Sequence, residues 1–302
     1  MAGVNKEIWI DKLKENFYAK YEWLKGVDDW SQWVDYNTIN FTLAGSDPTI
    51  LKNNAVWPIV AAQRTDTNAT VVLDTYDSTT TRIYNVEEIE TSIDKLKSVT
   101  DQHKKALMSR IASECLWNYS PATAAAGAFA VTGANRAAVI GAQTTVAATL
   151  QISDIARAQQ EFDTRNFPED GRILVLSPYH REDLLKQDVS LQKQFANLAT
   201  GQALDLYGFK IYVSSQTPTY VKSTLAKAAY GAAADNTNDC IASVAFIQSE
   251  VMKAMGSMDM FYKEKGINPE QRADEVGFQI RFKGVPQRST NFLQLALVSN
   301  RA

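Results

Sequence analysis

The sequence predicts an α+β protein, and three observations carry that reading. Residues 87–118 repeat apolar side chains every three or four positions, the period of one long helix. Residues 152–213 alternate helical and strand patterns, as a compact α/β unit does. Near the C-terminus Val276, Phe278, Ile280 and Phe282 alternate with Gly277, Gln279, Arg281 and Lys283, a strand with one buried and one wet face. The 302 residues, 45% hydrophobic and 22% charged, leave room for about two compact units and a sizeable core.

Taken in order, the chain opens on aromatic residues. Trp9, Trp23, Trp30, Trp33 and Trp57 all precede residue 58, with Phe17, Tyr18, Tyr21, Tyr36 and Phe41 among them. Each such ring removes roughly 150–250 Å² from water when buried, so the segment needs a receiving surface. Two readings are open: a helical first subdomain on its own core, or an arm lying across a neighbouring copy, with Trp9, Trp23, Trp30 and Trp33 as its contacts. Residues 62–86 carry β-branched runs at Thr70, Val71, Val72 and at Thr79, Thr80, Thr81, Ile83, which predict a two-stranded hairpin turning near 74–78. An isolated hairpin is marginal in water, so Val71, Tyr76 and Ile83 are expected to lean on another surface, in this chain or another.

The helical stripe then runs Ile89, Ile93, Leu96, Val99, His103, Leu107, Ile111, Cys115, with Asn85 and Glu88 as a start signal and Pro121 as a stop. A helix of that span is about 45–48 Å long. Residues 120–149, mostly Ala, Gly, Thr and Val, read as a loop or loose connector. Ser153 is a candidate N-cap for a helix carrying Ile155, Ala158 and Phe162, and Ile173–Leu176 suits a buried strand. Ser177-Pro178 has the form of an N-cap followed by proline at the first helical position, and Phe209–Val213 forms another strand. Met258, Met260 and Tyr262 alternate, and Phe292–Val298 is a last apolar run; these are expected to join the strand at 276–282 in an antiparallel sheet.

The chemistry is sparse. Thirty-one basic against 34 acidic side chains give a net charge of −3, with none of the basic excess that phosphate binding draws on. Cys115 and Cys240 lack paired spacing, and with two histidines they make a nitrogen–sulfur metal site implausible; no cofactor is expected. Gly127, Gly133 and Gly141, near Asn135 and Arg136, match neither phosphate-loop nor dinucleotide spacing. Ser177 and His180 stand three apart, but the Gly-x-Ser-x-Gly elbow is missing and capping already explains the serine. His103 on the apolar stripe reads as a core or interface histidine. Asp28-Asp29, Glu87-Glu88 and Asp274-Glu275 read as solvated or capping charge. No apolar run reaches the ~18 residues that span a bilayer, and no signal-peptide pattern opens the chain, so synthesis and assembly in the cytoplasm are expected, with no membrane partner.

The run Gly171–His180, followed by Asp183-Leu184-Leu185, Tyr207–Tyr212 and Pro218, resembles the A-domain of tailed-bacteriophage major capsid proteins of the Hong Kong 97 type. The helix from Ile152 to Phe167 resembles the one that leads into that domain. The order of parts resembles the family along nearly the whole chain. The resemblance implies an N-arm (1–61), an E-loop hairpin (62–86), a spine helix with the first part of the P-domain (87–146), an A-domain (147–244) and a closing part of the P-domain (245–302). It implies a structural, non-enzymatic protein of the virion that forms pentamers and hexamers, closes an icosahedral shell and encloses double-stranded DNA without reading its sequence. Portal, scaffolding and decoration proteins are the partners it implies. No long helical segment precedes the arm, so no fused scaffolding region is expected in this chain, and a separate scaffold or prior cleavage are both open. Some relatives cross-link through an E-loop lysine, and 62–86 has none. An encapsulin-like compartment shell keeps the same fold with another cargo, and a nucleotide-dependent α/β enzyme built on Ile173–Leu176 is a more distant alternative.

Overall fold

The computed structural model describes residues 21–43, 45, 48–59, 61, 63–84, 95–134, 147–187, 205–232, 239–264, 266, 270, 272–287 and 294–299. The chain begins with a one-turn helix α1 (Glu22–Lys25), a two-residue strand β1 (Asp28–Asp29) and the strands β2 (Thr38–Leu43), β3 (Thr67–Val72), β4 (Asp74–Asp77) and β5 (Thr81–Tyr84). The long helix α2 (Lys95–Asn118) and short β6 (Ala128–Ala130) follow. Then come α3 (Ile152–Thr164), β7 (Arg172–Leu176), α4 (Pro178–Gln187), β8 (Asp205–Leu206), β9 (Phe209–Val213) and β10 (Thr219–Val221). The chain closes with β11 (Asp239–Ile247), β12 (Val251–Lys263), β13 (Ala273–Pro286) and β14 (Gln294–Val298).

Two sheets organise the molecule. In the first, β12 and β13 pair antiparallel, β1 flanks β12, and β4 and β5 follow one another along the far edge of β13. The alternation read from β13 holds: Val276, Phe278, Ile280 and Phe282 are buried, while Gln279, Arg281 and Lys283 are half-exposed. That buried face receives α2, whose stripe residues His103, Leu107, Ile111 and Cys115 are buried as the period predicts. The helix seats closely at Gly284: a β-carbon there would stand 2.5 Å from the Cys115 sulfur and 2.7 Å from the Tyr119 hydroxyl. Asn118 fixes the seat by donating its amide N–H to the Gly284 carbonyl at 2.9 Å. Residues 85–94, with the expected start of this helix, lie outside the described residues.

The second sheet runs β6-β14-β11-β7-β9-β8, with β10 on β11. Its β7 and β9 are parallel, joined through α4, and every residue of β7 is buried. Ser177 caps α4, its hydroxyl accepting the His180 N–H at 3.2 Å. Arg172, 2% exposed, opens β7 and donates to the carbonyls of Phe167 and Pro168 at 2.8 Å each, while its guanidinium meets Asp163 at 2.8 Å. These bonds satisfy a buried cation that would otherwise be costly.

The structure corrects several expectations. The cap of α3 is Gln151 in a reciprocal box with Asp154, and Ser153 lies inside the helix. The connector 120–149 holds β6, and Ala126, Ala128, Val131 and Ala148 are buried, while 135–146 lie outside the described residues. β14 does not join β12 and β13; it pairs with β11 and β6 in the second sheet, where its alternate side chains fill two cores. The hairpin at 62–86 does not form. Residues 74–77 are a strand, and the partner of β3 is β2, in six register pairs from Thr38↔Val72 to Leu43↔Thr67. The true hairpin therefore spans 38–72, and its loop carries Lys52, so an amine is present on it after all.

Candidate assembly surfaces

The N-terminal segment is divided in its loyalties. Residues 21–31 are strapped into their own chain. Trp23, 2% exposed, packs edge-on against Tyr119 at 6.3 Å and Phe246 at 6.2 Å. The Lys253 ammonium, buried beneath the strap, donates to the carbonyls of Leu24 and Lys25 at 2.8 and 3.0 Å, and burial holds its pKa below the usual lysine value. Trp30 donates its backbone N–H to Lys253 at 2.8 Å, and Ser31 accepts from Met255 at 2.9 Å. Residues 21–31 are thus neither a helical subdomain with a core of its own nor a free arm: they pack into the core that α2 shares with the sheets. The ring of Trp23 has no surface left to offer a neighbour, nor does Ile83, 4% exposed in β5 beside β13. Trp9 lies outside the described residues.

The remaining expected contacts lie farther out. Trp30 is half-buried, edge-on to Phe41 at 5.3 Å; Val71 is half-buried on the hairpin; Trp33 is 65% exposed. The hairpin ribbon has two unlike faces. Asn40 and Thr70, and Thr42 and Asn68, are hydrogen-bonded across one face at 2.8 and 3.2 Å. On the other, Ile39 and Phe41 root the ribbon on Trp30, Val34 and Ala254, together with Leu73. Beyond the ladder the loop exposes Ile50, Leu51, Val56, Trp57 and Ile59, each more than half open to solvent. A cluster of large apolar side chains at the end of a projecting ribbon marks an interaction surface. The sequence reading missed it because these residues follow neither the helical nor the strand period and sit among Asn, Pro and Thr. Their size on a stretch without period was the available signal.

A second surface lies where β4 and β5 face α2. Tyr76, half-buried, shares a hydrogen bond with Glu114 at one end, and Thr81 hydrogen-bonds the His103 Nε2 at 2.9 Å at the other. Burial, with the nearby Glu114 charge, pushes the Tyr76 phenol up, and burial lowers the pKa of His103. Between the two bonds an open groove of about 560 Å³ runs along the helix.

Elsewhere the polar groups are structural. Ser177 and His180 are both fully buried, the serine serving as cap and the imidazole Nδ1 lying 2.6 Å from the Ser243 hydroxyl. Lys227 sits 4.0 Å above the Trp117 ring and donates to the carbonyls of Trp117 and Ser120 at 2.8 and 2.9 Å, where a cation suits the C-terminal end of α2. Burial brings its pKa down to about 8. Gly127 closes a short turn at φ +119°, Gly133 packs against Thr149, and Gly141 lies outside the described residues. Among the described residues no three His, Cys, Asp or Glu side chains converge as metal ligands, and no helix is long and apolar enough to cross a membrane.

A sequence profile described as phage capsid protein matches residues 67–285, most of the chain. No curated protein sequence matches it. Among solved structures, the capsid of the cyanophage P-SCSP1u superposes with a TM-score of 0.62 at 16% identity, covering 90% of this chain and 86% of that one. The capsid of Ralstonia phage GP4 gives 0.64 at 11% identity, covering 92% and 87%, and that of the Helicobacter pylori bacteriophage KHP30, described as acid-stable, gives 0.60 at 13% identity, covering 91% and 88%. At these identities the likeness is one of fold, the Hong Kong 97-type capsid fold. The sequence match favours a phage shell over the encapsulin and enzyme readings. With that match across both sheets and the long helix, the chain belongs to the phage capsid protein family, and it is a major capsid protein, a structural component of the virion that self-associates into a shell.

Proposed function

We propose that copies of this chain meet through the hairpin loop, form pentamers and hexamers about the unit at 147–244, and close an icosahedral shell around double-stranded DNA. One observation carries the reading: five large apolar side chains stand exposed beyond a six-pair ribbon and find no cover among the described residues. Burying such side chains contributes about 1.5–3 kcal/mol each, enough in sum to bind a neighbour. In this division the A-domain is the second sheet with α3 and α4, and β14 and β6 return to complete it. The P-domain is α2 with the β12–β13 sheet, the E-loop is 38–72, and the strap 21–31 belongs with the P-domain core. Trp33 and Val71 extend the contact toward the hairpin root, with Trp30 and Tyr76 at its margins. The net charge of −3 suits DNA that is enclosed and later released. Portal, scaffolding and decoration proteins are further partners of such a shell, with assembly in the host cytoplasm.

The test is the triple variant I50S/V56S/W57S. Its circular dichroism and melting should match the parent, since the three side chains are exposed. Electron microscopy should find no closed shells. Parental yields of shells would overturn the reading.

A further inference from the structure

One turn upstream of β2 holds a residue that its backbone does not favour. Asp35 and Thr38 exchange two backbone hydrogen bonds, at 2.9 and 3.0 Å, around a connection of only Tyr36 and Asn37. Tyr36 takes φ +53°. A two-residue connection whose first central residue alone is left-handed is a type II′ turn, where glycine is the residue that fits. A tyrosine there is strained. Its ring returns nothing to the fold, since it is 93% exposed. Strain of this kind persists where it serves a contact. The turn is nevertheless held firmly: Leu73 donates its N–H to the Asn37 carbonyl at 2.9 Å, Val34 packs on Ile39, Leu73 and Ala254, and the 3-10 turn Ser31–Trp33 is tied to β12 through the Trp30 N–H.

Charge indicates what covers the ring. Asp35 stands beside Tyr36 in the turn, and Asp28 and Asp29 precede it on the same segment; all three are exposed, and none is in an ion pair among the described residues. An aromatic face next to unpaired carboxylates is matched by a cation, which gains from both. A chain that self-associates into a shell brings such cations with each further copy. Lys105 on α2 and Lys210 on β9 are exposed, and neither is in an ion pair among the described residues.

We propose that the turn at Tyr36 is a contact between copies of this chain, its ring and the Asp35 carboxylate together receiving a lysine or arginine of a second copy. The contact lies off the hairpin loop and does not depend on it. Y36G removes the ring and relieves the left-handed strain, so it should melt at the parental temperature or up to ~4 °C above it. Its yield of closed shells should fall on the order of tenfold or more. A role in the chain's own fold would lower the melt instead. The partner is read directly by co-assembling chains that carry p-benzoylphenylalanine in place of Tyr36 with an excess of the parent and irradiating the particles. A covalent dimer of this chain is expected, with the adduct beside a lysine or arginine. The proposal is overturned by a Y36G protein that assembles at parental yield or melts lower, and equally by an adduct that is missing or joins another protein. I50S/V56S/W57S reads the hairpin loop separately, so either contact can fall and leave the other standing.

Discussion

Replacing Gly284 by alanine tests how the long helix is seated. The added methyl would lie 2.5 Å from the Cys115 sulfur, 2.7 Å from the Tyr119 hydroxyl and 3.2 Å from the Cys115 β-carbon. None of these atoms is free to retreat. Cys115 and Tyr119 are buried on successive turns at the end of α2, and the phenol donates to the Met252 carbonyl at 2.9 Å. Overpacking of this kind costs roughly 1–3 kcal/mol, against which alanine regains about 0.5–1 kcal/mol of backbone entropy in a strand. A net loss of about 1–2 kcal/mol should lower the melting midpoint, followed by tryptophan fluorescence, by roughly 2–4 °C per kcal/mol. The double variant G284A/C115A removes the nearest atom and should recover part of the loss, a coupling on the order of 0.5 kcal/mol or more. A G284A protein as stable as the parent, or strict additivity in the double variant, would refute the close seating.

Other outcomes follow from the same reasoning. R172M should lose about 1–3 kcal/mol in urea unfolding, because the carbonyls of Phe167 and Pro168 lose their donor; R172K should rescue little, since an ammonium lacks the planar fork. W23A should cost about 3–5 kcal/mol, and deletion of residues 1–39 should unfold the subunit where a free arm would leave it intact; a cooperative melt after the deletion would count against the strap. For Lys227 the folded pKa of about 8 lies below the ordinary lysine value of 10.5. Between those values the unfolded chain holds a proton that the folded chain has released, so this group's contribution to stability rises with pH across that window and is lost as pH falls through about 8. Subtracting the K227M profile from the parental one should isolate that rise, and a flat difference would sink the assignment.

The parts legible in the sequence are those whose signal is local. The stripe of α2, the alternation of β13, the buried run of β7 and the cap at Ser177 each follow from one element's own period or boundary chemistry. Pairing was not legible. The partner of β3 stands upstream at Thr38–Leu43, across a loop without periodic pattern, and β3, Leu73 and β4 form one extended line whose neighbour changes from β2 to β13 midway. β-branched density reveals strands, not their partners, so the sequence pairs the two runs at 67–84 with each other where the fold does not. The apolar run of β14 likewise carries no mark of its partners β11 and β6. The tryptophans show the opposite limit: aromatic content announces a need for cover, and only the fold decides that Trp23 finds it at home while Trp57 does not.

The root of the hairpin has a mechanical consequence. Leu73, the single residue between β3 and β4, rests over Gly256, where the β12–β13 register shifts, and a β-carbon on that glycine would stand 3.1 Å from the leucine methyl. Between the sheet and the ribbon lies a small pivot centred on Ile39, Leu73 and Ala254, with Trp30, Val34 and Phe41 packed around it. A ribbon of two strands twists cheaply. Rocking on that pivot swings the tip through a wide arc while the cores on either side keep their packing. In the proposed arrangement of pentamers and hexamers, one sequence then meets its neighbours at different dihedral angles, the adjustment taken up in the lever and not in the body.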